Sequence, residues 1–158
     1  MSEVTLMINP DDVIGLTTLN GNIDADSLKP VIFMAQTTHL KSFLGLALYN
    51  KIYEDFVNDA LSGEYLIIFN EYIKDIISYT TASLYVELGG YKITENGIHK
   101  ISSENRNPID ESETTKLALR FNKMTANVEA NFKEYVADLN LPELQNKTIT
   151  VNDDFPWL

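Results

Sequence analysis

The sequence predicts a mainly α fold: a bundle of four to five helices with one inserted β-hairpin and an extended C-terminal arm. Three observations predict it. Apolar residues recur at spacings of three and four along four long stretches. The period changes once, on either side of Asn96-Gly97. Helical periodicity is lost after Pro142. At 158 residues the chain has the length of one domain. We place a helical domain with the hairpin at about 91–102 in residues 1–140, and the arm in residues 141–158.

The elements follow in order. Asn9-Pro10-Asp11-Asp12 reads as a short helix start: Asn9 caps, Pro10 fits the first helical position and the aspartates suit the positive end of the peptide dipoles. Gly15 and the threonines after it end that helix, and Asn20-Gly21 marks a turn. A second helix is expected from Asp26 to Leu44, with Leu28, Val31, Ile32, Ala35, His39, Leu40 and Phe43 on its apolar face and Pro30 in its first turn. Gly45 allows a break. A third runs from Leu46 to Leu61, with Leu46, Tyr49, Ile52, Tyr53, Phe56, Val57, Ala60 and Leu61 as its stripe, and stops at Ser62-Gly63. The fourth, Glu64 to Leu88, is apolar over so wide an arc that it belongs at the centre or against a second partner.

Tyr91 to Glu95 and Ile98 to Ser102 are β-capable runs joined by Asn96-Gly97, the turn pair that favours a tight hairpin. Residues 103–108 are polar and loop-like. The last helix reaches from about Asp110 to Asn140, with Leu117, Phe121, Met124, Val128, Phe132, Tyr135, Val136 and Leu139 as its stripe and Glu129–Lys133 as a favourable pair. Beyond Pro142, Lys147 to Val151 is β-prone, and the chain closes on Asp153-Asp154-Phe155-Pro156-Trp157-Leu158.

Composition excludes several function classes. Twelve lysines and arginines against 23 aspartates and glutamates leave a formal charge of −11. Such a surface repels DNA phosphates and anionic lipid, which argues against a groove-reading DNA binder and a membrane-docked protein. Cysteine is absent, which removes disulfides, cysteine-zinc sites and thiol nucleophiles. The apolar runs Val31 to Ala35 and Tyr65 to Phe69 are too short to cross a bilayer. No signal peptide is expected, and the product is expected to stay in a cytosol-like compartment.

No catalytic or metal motif stands out. His39 and His99 are far apart and lack convergent partners, so they read as a half-buried helix residue and an exposed strand residue. Asn20 to Asp26 has the alternating oxygens of a calcium loop. It carries Ala25 where glycine is needed and Val31 where the bidentate glutamate is needed, so it reads as a turn and a helix cap. Gly89-Gly90 follows a helix and reads as a stop, not a phosphate cradle. Ser27, Ser62 and Ser83 have no nucleophile-elbow context. Glu54/Asp55 and Asp153/Asp154 read as solvated charge, and the Asn146-Lys147-Thr148 sequon has no meaning without export. No catalytic residue, cofactor or metal ligand is assigned. Phe155 and Trp157 have two readings: anchors in a neighbour's pocket, or side chains folded back on their own helices.

The run from Ile8 to Ile52, INPDDVIGLTTLNGNIDADSLKPVIFMAQTTHLKSFLGLALYNKI, resembles the N-terminal part of small head–tail connector proteins of tailed phages. It is most similar to the neck-ring (adaptor) proteins of crAss-like phages that infect Bacteroides. Its elements are the turn and helix start NID-A-D-x-L-K-P, then AQ, then LK-x-F-LG-x-x-LY-x-KI. The order of helix, hairpin and final helix extends the likeness to about Leu139.

The resemblance implies a structural, non-enzymatic virion protein, made in the host cytoplasm and placed at the neck. A four-helix core would assemble with itself as a ring, usually of about twelve copies. The ring would join the portal protein to further neck or tail rings and continue the DNA channel without binding the DNA specifically. The arm would dock on the portal or a neighbour through Thr148, Ile149, Val151, Phe155, Trp157 and Leu158. The hairpin, through Ile93, Asn96, Gly97 and Ile98, would contact the channel or the next ring. Acidic residues around a lumen would keep a duplex centred. The rival reading of the same charge and aromatics is a small acidic helical regulatory or inhibitor protein. An enzyme would need a cleft of shifted titrating groups, which the sequence does not display.

Overall fold

The computed structural model describes residues 3–17, 19, 23–88, 91–100 and 111–145. The architecture is mainly α. The short helix α1 (Pro10–Leu16) begins at a reciprocal cap: the Asn9 side chain accepts from the Asp12 amide, and Asp12 accepts from the Asn9 amide, both at 3.0 Å. Helix α2 (Ala25–Met34) starts from Asp24, whose carboxylate accepts from the Asp26 amide at 3.0 Å. The expected helix cap is therefore realised at Asp24, while the turn expected at Asn20-Gly21 lies outside the described residues. Pro30 is the sixth residue of α2 and falls in its second turn, not the first as expected.

Helix α2 continues through a π-helical segment, Ala35–Leu40, into α3 (Lys41–Leu44). Gly45, at φ 79° and ψ 159°, then redirects the chain into α4 (Leu46–Val57). That combination suits a residue without a Cβ. Helix α4 ends at Val57, four residues short of the expected Leu61. The chain closes there on Asp59, which adopts φ 52°. Leu46 and Val57, expected in the apolar stripe, are 61% and 49% exposed.

The fourth helix is three pieces laid end to end: α5 (Gly63–Ile68), a second π-helical segment (Phe69–Ile73) and α6 (Lys74–Leu88). It is the central element, with Ile68, Ile73, Ile76 and Ile77 fully buried. Burying one such side chain contributes roughly 1.5–3 kcal/mol. Leu28, Ile32, Leu40, Leu44, Leu48 and Ile52 meet it from α2, α3, α4 and the first π-helical segment.

Two four-residue strands, β1 (Tyr91–Thr94) and β2 (Gly97–Lys100), pair antiparallel, with Tyr91 opposite Lys100 and Thr94 opposite Gly97. No further strand joins them among the described residues. The pair lies within the span of about 91–102 where the sequence expects a hairpin.

The long helix α7 (Glu111–Ala137) packs along α6. The seam is lined by small and hydroxyl side chains. Ser83 Oγ donates to the Ala118 carbonyl at 3.2 Å, and the Thr80 and Thr125 hydroxyls lie 3.5 Å apart. Ala118, Phe121, Thr125 and Phe132 are the buried positions of α7, and Met124, expected in the stripe, is 46% exposed. Small residues let α7 approach α6 along this line, which turns Met124 outward. The stretch expected to be extended from residue 141 opens with a helical turn, α8 (Pro142–Gln145). Leu141 is buried in the core, and Tyr65 donates to Glu143 at 2.9 Å. Among the described residues no helix is long and apolar enough to cross a membrane.

Candidate functional site

Two shallow clefts of about 450 Å³ each flank the core. The first lies where the N-terminal segment and the start of α1 meet Lys29 of α2, Phe56 of α4, Phe69 of the second π-helical segment and Lys74 of α6. A buried amide fixes that segment: the Gln36 side chain accepts from the Met7 amide at 2.8 Å and donates to the Thr5 carbonyl at 3.0 Å. The Thr5 amide donates to the Tyr53 hydroxyl at 2.9 Å. Lys29 and Lys74 stand at the cleft, but both cations are engaged. Lys29 pairs with Asp26 at 2.7 Å, which pushes the Lys29 ammonium up and the Asp26 carboxyl down, the shared hydrogen bond being the main cause. Lys74 lies 5.5 Å over the Phe69 ring.

The second cleft lies between the first π-helical segment, α6 and α7, and is lined by Thr38, His39, Ser42, Thr80, Glu87 and Asn122 among others. Beside it His39 Nε2 sits 2.5 Å from Glu129 Oε1. The π-helical geometry brings His39 to this face. Glu129 was expected to pair with Lys133; it pairs with His39 instead, and Lys133 lies 5.7 Å over the Phe43 ring. An imidazole held by one carboxylate can orient a polar ligand. Acyl transfer would also need a nucleophile and oxyanion donors placed around it. Sequence reasoning had found no partner for His39, because its partner is 90 positions away.

The other sequence-derived candidates divide. Ser83 is committed to the α6–α7 seam, and Ser27 donates to the Asp24 carbonyl at 2.6 Å. Ser62 precedes α5 with no side-chain cap bond. Asp55 pairs with Lys51 at 2.8 Å, while Glu54 is exposed. Among the described residues no group of three or more His, Asp or Glu converges as a metal site. Of the hairpin candidates, Asn96 forms the turn with Glu95, one residue earlier than the Asn96-Gly97 pair expected, because Gly97, at φ 114°, already pairs with Thr94 as the first residue of β2; Ile93 and Ile98 are register partners. Thr148, Ile149, Val151, Phe155, Trp157 and Leu158 lie outside the described residues.

What sequence reasoning missed is the outer surface. Leu46, Val57, Leu66, Ile67, Leu119 and Met124 are each 40% or more exposed. Leu66 and Ile67 sit on α5 beside the exposed Glu64 and Glu71. Leu119 and Met124 sit on α7 among Lys116, Arg120 and Lys123, all exposed. Surfaces that mix apolar and charged side chains in this way are suited to protein contacts.

The model of a family of unknown function, DUF6712, matches residues 40–146, more than half of the chain. No curated protein and no solved structure matches the chain.

Proposed function

We propose that this chain, which belongs to the DUF6712 family, is a structural virion protein: a ring-forming head–tail adaptor of a phage neck. In this reading a helical bundle assembles with copies of itself, the ribbon at Tyr91–Lys100 contacts the channel or the next ring, and an arm within 146–158 docks on the portal protein or a neighbour. The ring joins portal to tail and lets DNA through without specific binding.

The observation that carries the reading is the exposure of large apolar side chains on four helices at once, Leu46 and Val57 on α4, Ile67 on α5, Leu88 on α6 and Leu119 on α7. A chain that meets neighbours on two sides, and other layers above and below, needs contact surface on several faces. The resemblance of Ile8 to Ile52 to neck-ring proteins supports the same reading. The formal charge of −11 suits a pore wall that must pass a polyanion without gripping it.

The test is incorporation. Particles made with the full chain should carry it at the neck by mass spectrometry and electron microscopy. Particles made with a chain lacking 146–158 should lack it, although that truncated chain keeps its helical circular dichroism. Absence of the full chain from mature particles would contradict the reading. A soluble complex with a single regulatory target would favour the small-inhibitor alternative.

A further inference from the structure

Within residues 51–75 the sequence carries six acidic residues and two lysines. Both lysines are engaged: Lys51 with Asp55 and over the Tyr65 ring, Lys74 over the Phe69 ring. At one corner of the molecule the Lys51–Tyr65 contact ties α4 to α5, and the Phe56–Phe69 ring pair, with centroids 5.3 Å apart, ties α4 to the π-helical segment that follows α5. That corner exposes Val57, Leu66 and Ile67 beside Glu54, Glu64 and Glu71.

Beyond Glu111 and Glu113 in its first turn, α7 has the opposite character. From Thr114 to Val128 there are three cations and no acidic residue, inside a chain of net charge −11. Lys116, Leu119, Arg120 and Lys123 recur at helical spacing and are all exposed, with Leu119 at 59%. Among the described residues none of the three cations forms an ion pair.

One copy cannot join the two surfaces. Tyr135, near the end of α7, donates to Glu64 of α5, which places the acidic corner at the C-terminal end of α7. Leu119 lies sixteen residues earlier on the same helix, about 24 Å away at 1.5 Å per residue. We infer that the Lys116–Leu119–Arg120–Lys123 face of α7 docks on the acidic α4–α5 corner of a second copy, which rests on the adaptor reading and supplies its ring contact.

Both surfaces pair exposed apolar side chains with charge, and the charges are of opposite sign. Contact buries Leu119 against Val57, Leu66 or Ile67 and sets three cations against Glu54, Glu64 and Glu71. Duplex DNA is the weaker occupant for the basic face, because three cations on a polyanionic protein neutralise few phosphates. The two surfaces differ, so the contact is heterologous. Such contacts propagate from copy to copy and close only as a ring.

The test is a charge swap read by sedimentation velocity. K116E/R120E/K123E has two negative faces, and E54K/E71K removes the negative corner. Each variant alone should associate at least tenfold more weakly than the unaltered chain. An equimolar mixture should recover association, because each reversed face then meets its complement in the other variant. Recovery also shows that both variants are folded. If both variants assemble like the unaltered chain, or if the mixture does not recover, this interface is wrong while the adaptor reading stands. If assembly instead depends on 146–158 alone, or the α7 variant loses only duplex DNA binding, the occupant is different and the proposal falls. An unaltered chain that is monomeric at every concentration overturns both.

Discussion

Gln36 shows what a single side chain does for this fold. It is fully buried, and its amide satisfies two backbone groups of the N-terminal segment, the Met7 N–H and the Thr5 carbonyl. Gln36→Leu would leave the buried Met7 N–H without a partner, at a cost of about 1–3 kcal/mol. We expect lower thermal stability and faster proteolysis ahead of Pro10; unchanged stability would mean that the segment is held by other contacts. The signal was present in the sequence, since Gln36 falls four residues after Ile32 and four before Leu40, on the apolar face. Its bonds were not legible, because both acceptor and donor are about thirty positions away.

Tyr65 and Tyr135 give a second test at this scale. Burial, reinforced by the hydrogen bond that Tyr65 donates to the Glu143 carboxylate, pushes the Tyr65 hydroxyl up to about 12. The hydrogen bond to Glu64, with some burial, pushes Tyr135 to about 12. A tyrosine whose folded value is raised holds its proton while the unfolded chain loses it, so stability falls as pH climbs above about 10. Tyrosinate absorbance should rise with a late component, and Tyr65→Phe should diminish it. A single transition at the ordinary value would contradict the two carboxylate bonds.

At the level of elements, the apolar spacing located every helix but α8 to within a few residues, and the departures have physical causes. The π-helical segments at Ala35–Leu40 and Phe69–Ile73 change the local period, yet His39 is half-buried on its helix as expected; what the spacing did not give is its partner Glu129. Met124 was assigned inward because it is apolar, but the hydroxyl-lined α6–α7 seam selects Ala118 and Thr125 instead. Helix α6 also holds a cost: the buried Thr81 hydroxyl has no hydrogen-bond partner among the described residues. Thr81→Val removes the unpaired group at nearly constant shape. We expect melting to rise by an amount equivalent to about 1–2 kcal/mol. A fall would reveal a partner for that hydroxyl.

At the scale of the whole molecule, composition was informative about charge and silent about its distribution. The formal charge of −11 is readable from residue counts, but the separation of a basic α7 face from an acidic α4–α5 corner needs the packing of α7 against α6. Val57 was read into its helix's apolar stripe and is exposed, whereas Leu119 already lies off the α7 stripe and Ile67 belongs to the wide apolar arc that the sequence places at the centre or against a second partner. The adaptor account makes self-assembly the function of these surfaces. Native mass spectrometry of the purified chain across concentration and salt tests that most directly. The account predicts a closed oligomer of one fixed copy number that dissociates as salt rises; a 17.9 kDa monomer under every condition would contradict it.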